Sequence, residues 1–156
     1  MPHFVLNLEE DYSLFGVRSN LSDFSLVYFL NKNLNINLYR ENKDLSIIHL
    51  QKKIFFSLFS YYDSELDNQW SIIKNKNQFE KIDIKENNLF SNNQMSMLMY
   101  FIPEHKNFDF IIKITGLLFN KKEIISLITK ITNVEIISEI TSVEHLSTQS
   151  RGNLCF

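Results

Sequence analysis

Apolar and polar positions along the chain fall into two rhythms, one of period two and one near three and a half. Residues 12–18, YSLFGVR, alternate as a half-buried strand does. Residues 19–36, SNLSDFSLVYFLNKNLNI, change rhythm: Leu21, Phe24, Val27 and Tyr28 recur at helical spacing, and Leu26, Leu30 and Leu34 broaden the stripe. Asn20 stands where a helix cap would be, with Asp23 three residues on, the spacing of a capping box. INLYR (36–40) then reads as a second strand, and IFFSLFSYY (54–62) and QWSIIKN (69–75) as two more, joined by the polar connector DSELDN.

Polarity dominates from Asn75 to Gln94. We expect a long polar loop over 75–94, pinned by Phe79, Ile82, Ile84, Leu89 and Phe90. SMLMYFI and FDFIIKITG predict a hairpin around residues 103–107. NKKEIISLITKI (120–131) carries the clearest helical signal, with Asn120 as cap, Glu123 to complete a box, and Ile124, Leu127, Ile128 and Ile131 on one face. VEIISEIT predicts a closing strand with Val134, Ile136 and Ile140 on one side and Glu135 and Glu139 towards solvent. The tail, 143–156, shows no regular pattern. The order predicts one α+β domain over 1–156: a mostly antiparallel or mixed sheet of about seven strands, with two helices packed on one face.

Composition changes this picture little. The chain has 156 residues, 44% hydrophobic, with a formal net charge of −2. Fourteen Phe, six Tyr and one Trp supply the bulk for a core without disulfides or metals. The lone cysteine, Cys155, cannot form an internal disulfide, and no basic-then-apolar leader opens the chain. The longest apolar run is far shorter than the ~20 residues of a membrane helix. We therefore expect a cytoplasmic protein with no membrane association.

Candidate chemistry is sparse. His3, His49, His105 and His145 form no ligand spacing, and no paired-cysteine motif or nucleophile elbow occurs. Three scattered glycines build no phosphate-cradling loop. No cofactor or metal is expected.

One stretch stands out: FIPEHKNFDF, 101–110. Proline suits the first corner position of a turn after a strand, and it pushes Ile102 towards an extended conformation. Pairing of Ile102 with Phe108 would leave a five-residue loop, Pro103 to Asn107. Ile102, Pro103, Glu104 and Asp109 then form a register-setting corner or an acidic contact point for a partner. A catalytic or metal-binding pair of carboxylates would need separated environments or more ligands.

The same stretch, with Ile102, Pro103 and Glu104 followed by Asp109, resembles the signature of the bacterial family named IPExxxVDY. Phe108 and Phe110 stand where that name has Val and Tyr. YSLFGVRSNLSDFSLVYFLNKNLNINLYR, WSIIKN and SRGNLCF are similar to other landmarks of the family. The resemblance implies one small cytoplasmic domain with no established activity or cofactor. If the family's tyrosine supplied a working hydroxyl, Phe110 could not.

Two functional expectations follow. The first is a non-enzymatic binding or adaptor module acting through protein–protein contacts, with an unknown protein partner or a second copy of itself. The second is an RNA-binding accessory protein that uses a basic and aromatic sheet edge, with Tyr39, Arg40, Trp70, Lys74 and Lys76 as contacts. The pI near 6.1 weighs against the second.

Overall fold

The computed structural model describes residues 11–81, 95–116 and 118–156. Its centre is a six-stranded antiparallel sheet built from β1 (Tyr12–Ser19), β2 (Tyr39–Arg40), β5 (Leu58–Asp63), β6 (Asn68–Lys74), β9 (Phe110–Thr115) and β10 (Val134–Ile140), in the order β10-β1-β9-β6-β5-β2. Two further hairpins, β3–β4 (Leu45–His49, Lys52–Phe56) and β7–β8 (Lys76–Lys81, Met95–Tyr100), stand outside it. The chain is thus α+β, as expected.

No described strand pair is parallel, although two helical crossovers exist. α1 (Asp23–Leu34) joins β1 to β2, and α2 (Lys121–Thr129) joins β9 to β10. In each case antiparallel strands lie between the two that the helix connects: β1 alone separates β9 from β10. Both units are split, so the parallel strands expected in a mixed sheet are never neighbours.

The sheet is buried on both faces. On one, α1 and α2 lay Leu26, Val27, Leu30, Ile124 and Ile128 against Phe15, Val17, Ile72, Phe110 and Ile112. Alternate residues of the same strands, Leu14, Leu58, Ile73 and Ile111, point the other way. They meet the β3–β4 hairpin, the stretch 101–108 and the tail, through Ile54, Phe56, Phe101, Phe108, Leu146 and Leu154. Double coverage explains why β9 is apolar at consecutive positions, interrupted by Lys113, rather than alternating.

Several sequence expectations change. α1 starts later than proposed: Ser22, not Asn20, accepts the Ser25 amide, and Phe24 and Tyr28 are 63% and 61% exposed. IFFSLFSYY is two strands, because the chain bends at Ser57 and β4 leaves the sheet to pair with β3. β8 pairs with β7 and not with β9, so the first residues of the expected polar loop are a strand; 82–94 lie outside the described residues. In β10, Arg18 of β1 faces Ile136 but Ser19 faces Val134, making Glu135 a bulged residue. The extra residue sends Val134 to the helix side and Ile140 to the opposite side, against the single face expected. The tail is ordered into a turn at Val143–His145 and a short helix, α3 (Thr148–Asn153).

Candidate functional site

The 101–110 stretch is a corner, though not the expected hairpin. Ile102 is extended (φ −121°, ψ 92°), as a residue before proline must be, and Pro103–His105 form one 3-10 turn. Ile102 does not pair with Phe108. Its amide donates instead to the side-chain oxygen of Asn75 at 2.8 Å, and the Phe101 amide donates to the Asn75 carbonyl at 2.7 Å. Asn75 is fully buried at the point where β6 gives way to β7. Its Nδ2 donates to the carbonyls of His105 and Phe108, both at 3.0 Å. One amide side chain thus satisfies both sides of a turn that has no ladder of its own. Phe108 closes the corner, its ring lying directly over Gly16 of β1, where any β-carbon would collide with it.

The two acids of the stretch serve different neighbours. Glu104 reaches to the tail: Oε1 accepts the Ser147 amide at 2.7 Å and Oε2 the Ser150 hydroxyl at 2.6 Å. Partial burial alone would raise its pKa. The bonds from Ser150 and Ser147 outweigh that and hold the carboxyl at about 2. Asp109 turns to the sheet, where Oδ2 accepts the Ser19 amide at 2.9 Å and Oδ1 pairs with Lys76. An acidic contact formed by both carboxylates together is therefore not the arrangement found. Among the described residues, no three His, Cys, Asp or Glu side chains cluster as metal ligands would.

The tail is held at three more points. Asn153 Nδ2 donates to the Phe101 carbonyl at 2.9 Å. Lys113, 4% exposed in mid-β9, donates to the Leu154 carbonyl at 2.7 Å. Its ammonium also lies 5.0 Å from the Tyr12 ring centre and 4.4 Å from that of Phe156. Asn75, Lys113, Ser147, Ser150 and Asn153 were all missed in the sequence. Lys113, a lone charge inside FIIKITG, was the only one with a visible signal.

Two open grooves lie beside this corner. The larger, about 430 Å³, is bordered by Arg18, Asn20, Lys74, Lys76, Asp109 and Glu135. The smaller, about 210 Å³, is bordered by Asp23, Asp44, Phe55, Ser57, Lys74 and Lys76. Lys74 and Lys76 line both. Arg18 and Lys76 already face Glu135 and Asp109, so the larger groove is a mixed-charge surface rather than a basic one.

The remaining basic and aromatic candidates are dispersed. Tyr39 is 56% exposed, and the charge of Glu41 beside it, with slight desolvation and a hydrogen bond to the same carboxylate, raises its pKa. Arg40 is tied to Asp44 and lies over the Phe59 ring. Trp70 is a core residue, 5% exposed, with its indole N–H given to Asn68 Oδ1 at 3.1 Å. It cannot stack on a base, which corrects its place among the surface contacts.

Comparison of the chain with protein-family models, curated proteins and solved structures found no match. Among the described residues, no helix is long and apolar enough to cross a membrane.

Proposed function

We propose that this protein is a non-enzymatic binding or adaptor module that acts through protein–protein contacts in the cytoplasm. One observation carries the reading. Large apolar side chains stand in solvent on two adjacent elements: Phe24 and Tyr28 on α1, and Ile48, Leu50 and Phe55 (72%, 63% and 50% exposed) on the β3–β4 hairpin. Of these, Phe55 borders the smaller groove, which also reaches Asp23 at the start of α1. Exposed large apolar side chains beside a polar groove are features of an interface. The acids of the corner, by contrast, are engaged within the fold. The resemblance to the IPExxxVDY family fits a motif that builds the fold: Ile102 and Phe108 are buried and Glu104 and Asp109 act as internal ties. The exposed single thiol of Cys155 suits a reducing compartment.

The test is retention of a protein from nuclease-treated native lysate by the wild type, and its loss with Phe24→Ser and Phe55→Ser together while circular dichroism is unchanged. Recovery of RNA-dependent material alone would overturn the reading.

A second reading, RNA contact, is favoured by the juxtaposition of Lys74 and Lys76 with the exposed Phe55 at one groove. It predicts binding of short single-stranded RNA that weakens steeply with salt and is lost in Lys74→Glu. No binding at low salt removes it.

A further inference from the structure

The two edges of the central sheet are built differently. The β2 edge has two paired residues, after which Arg40 folds back on Asp44 and the chain leaves. The β10 edge runs for seven residues, about 23 Å at the usual rise of ~3.3 Å per residue. Among the described residues nothing pairs with its outer side. Sheet edges are normally guarded by proline, by a free lysine or by brevity. VEIISEI has none of these, its bulge at Glu135 leaves 136–140 in regular register, and its two carboxylates are already matched within the chain, Glu135 by Arg18 and Glu139 by Lys121. Ile136 is 41% exposed on this edge.

We propose that β10 pairs with β10 of a second copy of this chain, antiparallel about a two-fold axis at Ser138, joining the two sheets into one. The register follows from parity and charge. Ile136, Ser138 and Ile140 project on the tail face, and Ile137 and Glu139 on the helix face. A two-fold axis perpendicular to the sheet keeps those faces aligned and opposes only residues of the same face. Centring on Ile137 would set Glu135 against Glu139 of the other copy, like charges directly opposed. Centring on Ile136 would bring the bulged Glu135 into the paired segment, where its extra residue breaks the ladder. Centring on Ser138 avoids both. It sets each exposed Ile136 against Ile140 of the second copy, Ile137 against Glu139, and the small Ser138 against itself. This surface is separate from the apolar groups of α1 and the β3–β4 hairpin.

Sedimentation equilibrium of the full chain at micromolar concentration tests the pairing. The wild type sediments as a dimer. Ile136→Lys, which guards the edge with a charge, and Ile137→Pro, which removes an outward-facing amide donor next to the axis, sediment as monomers. The register is read by cross-linking in a Cys155→Ser background. Ser138→Cys oxidises to a disulfide dimer, since residues facing across antiparallel strands have Cα atoms about 4.5–5.5 Å apart, within disulfide reach. Glu135→Cys, well away from the axis, does not. If Ile137→Pro fails to fold, Ile136→Lys decides alone. A monomeric wild type, a dimer that survives both substitutions, or cross-linking at 135 instead of 138 overturns the proposal.

Discussion

The central sheet is covered on one face by helices and on the other by the β3–β4 hairpin and irregular chain, and the helical and irregular coverings are held by different physics. α1 and α2 satisfy most of their own backbone groups, so they need only present Leu26, Leu30, Ile124 and Ile128 to the strands. The tail-side covering brings turns and chain ends whose amides and carbonyls have no ladder to join. Each such group must find a partner or pay its full desolvation cost. Polar side chains are therefore buried there: Asn75 among the corner amides, Lys113 under the Leu154 carbonyl, and Ser150 under Glu104. Among the described residues no buried side-chain polar atom is left without a hydrogen bond. An irregular layer is stabilised by a few specific polar knots, a helical one by a distributed apolar stripe.

The sharpest way to break this contrast is at Asn75. Asn75→Ala strands the Ile102 amide and the Phe108 carbonyl at once, and takes from the His105 carbonyl one of its two donors, leaving the Phe108 amide. We expect a loss of about 3–5 kcal/mol, read as a shift of the urea midpoint. The helical counterpart is Ile128, fully buried at the centre of its stripe. Ile128→Ala should cost about 2–4 kcal/mol through lost transfer energy and a residual cavity. If the asparagine costs far less than the isoleucine, the polar-knot account of the tail face is wrong.

The same contrast explains which parts were legible in the sequence. β1, α2 with its Asn120 cap and the apolar run of β9 announce themselves by local periodicity, and all three stand as read. The β3–β4 hairpin does not. Its turn is Leu50–Gln51, with φ of 49° and 62°, a left-handed pair without the Gly or Asn that would have marked it. Asn75 was hidden by abundance, being one asparagine among many in a polar stretch. Glu104 and Asp109 were grouped because they are neighbours in sequence. Glu104 sits inside a 3-10 turn, however, and Asp109 lies past its end, so one faces the tail and the other β1. The pairing of distant polar groups leaves no periodic trace, so the candidate site was visible as a motif but its wiring was not.

A smaller effect tests how closely the corner sits on the sheet. Gly16→Ala would add a β-carbon where the buried Phe108 ring already lies, so the ring and its turn must shift. Overpacking of this kind should cost about 1–3 kcal/mol in thermal or urea unfolding. Phe108→Leu in the same chain should return part of it, by opening space over the new methyl. If Gly16→Ala is as stable as wild type, the corner moves freely and does not set the position of the tail.

The smallest expected effect is the most specific, because it depends on pH. The Glu104 carboxyl is held at about 2 in the folded chain, against an ordinary value of 4.5. A depressed carboxyl binds its proton more weakly folded than unfolded. Its stabilising contribution is therefore complete above pH ~4.5 and disappears as pH falls towards 2. Glu104 is exposed enough for solvent to screen much of this, so the contribution should be about 1 kcal/mol rather than the full value of the shift. Glu104→Gln keeps the size and one acceptor oxygen but cannot ionise. It should be less stable than wild type at pH 7 by about that amount, and the difference should close by pH 2. Urea midpoints of the two proteins across that range provide the measurement. A constant offset would mean that Glu104 serves the tail through shape alone, and that the charge contributes nothing to holding α3 against the corner.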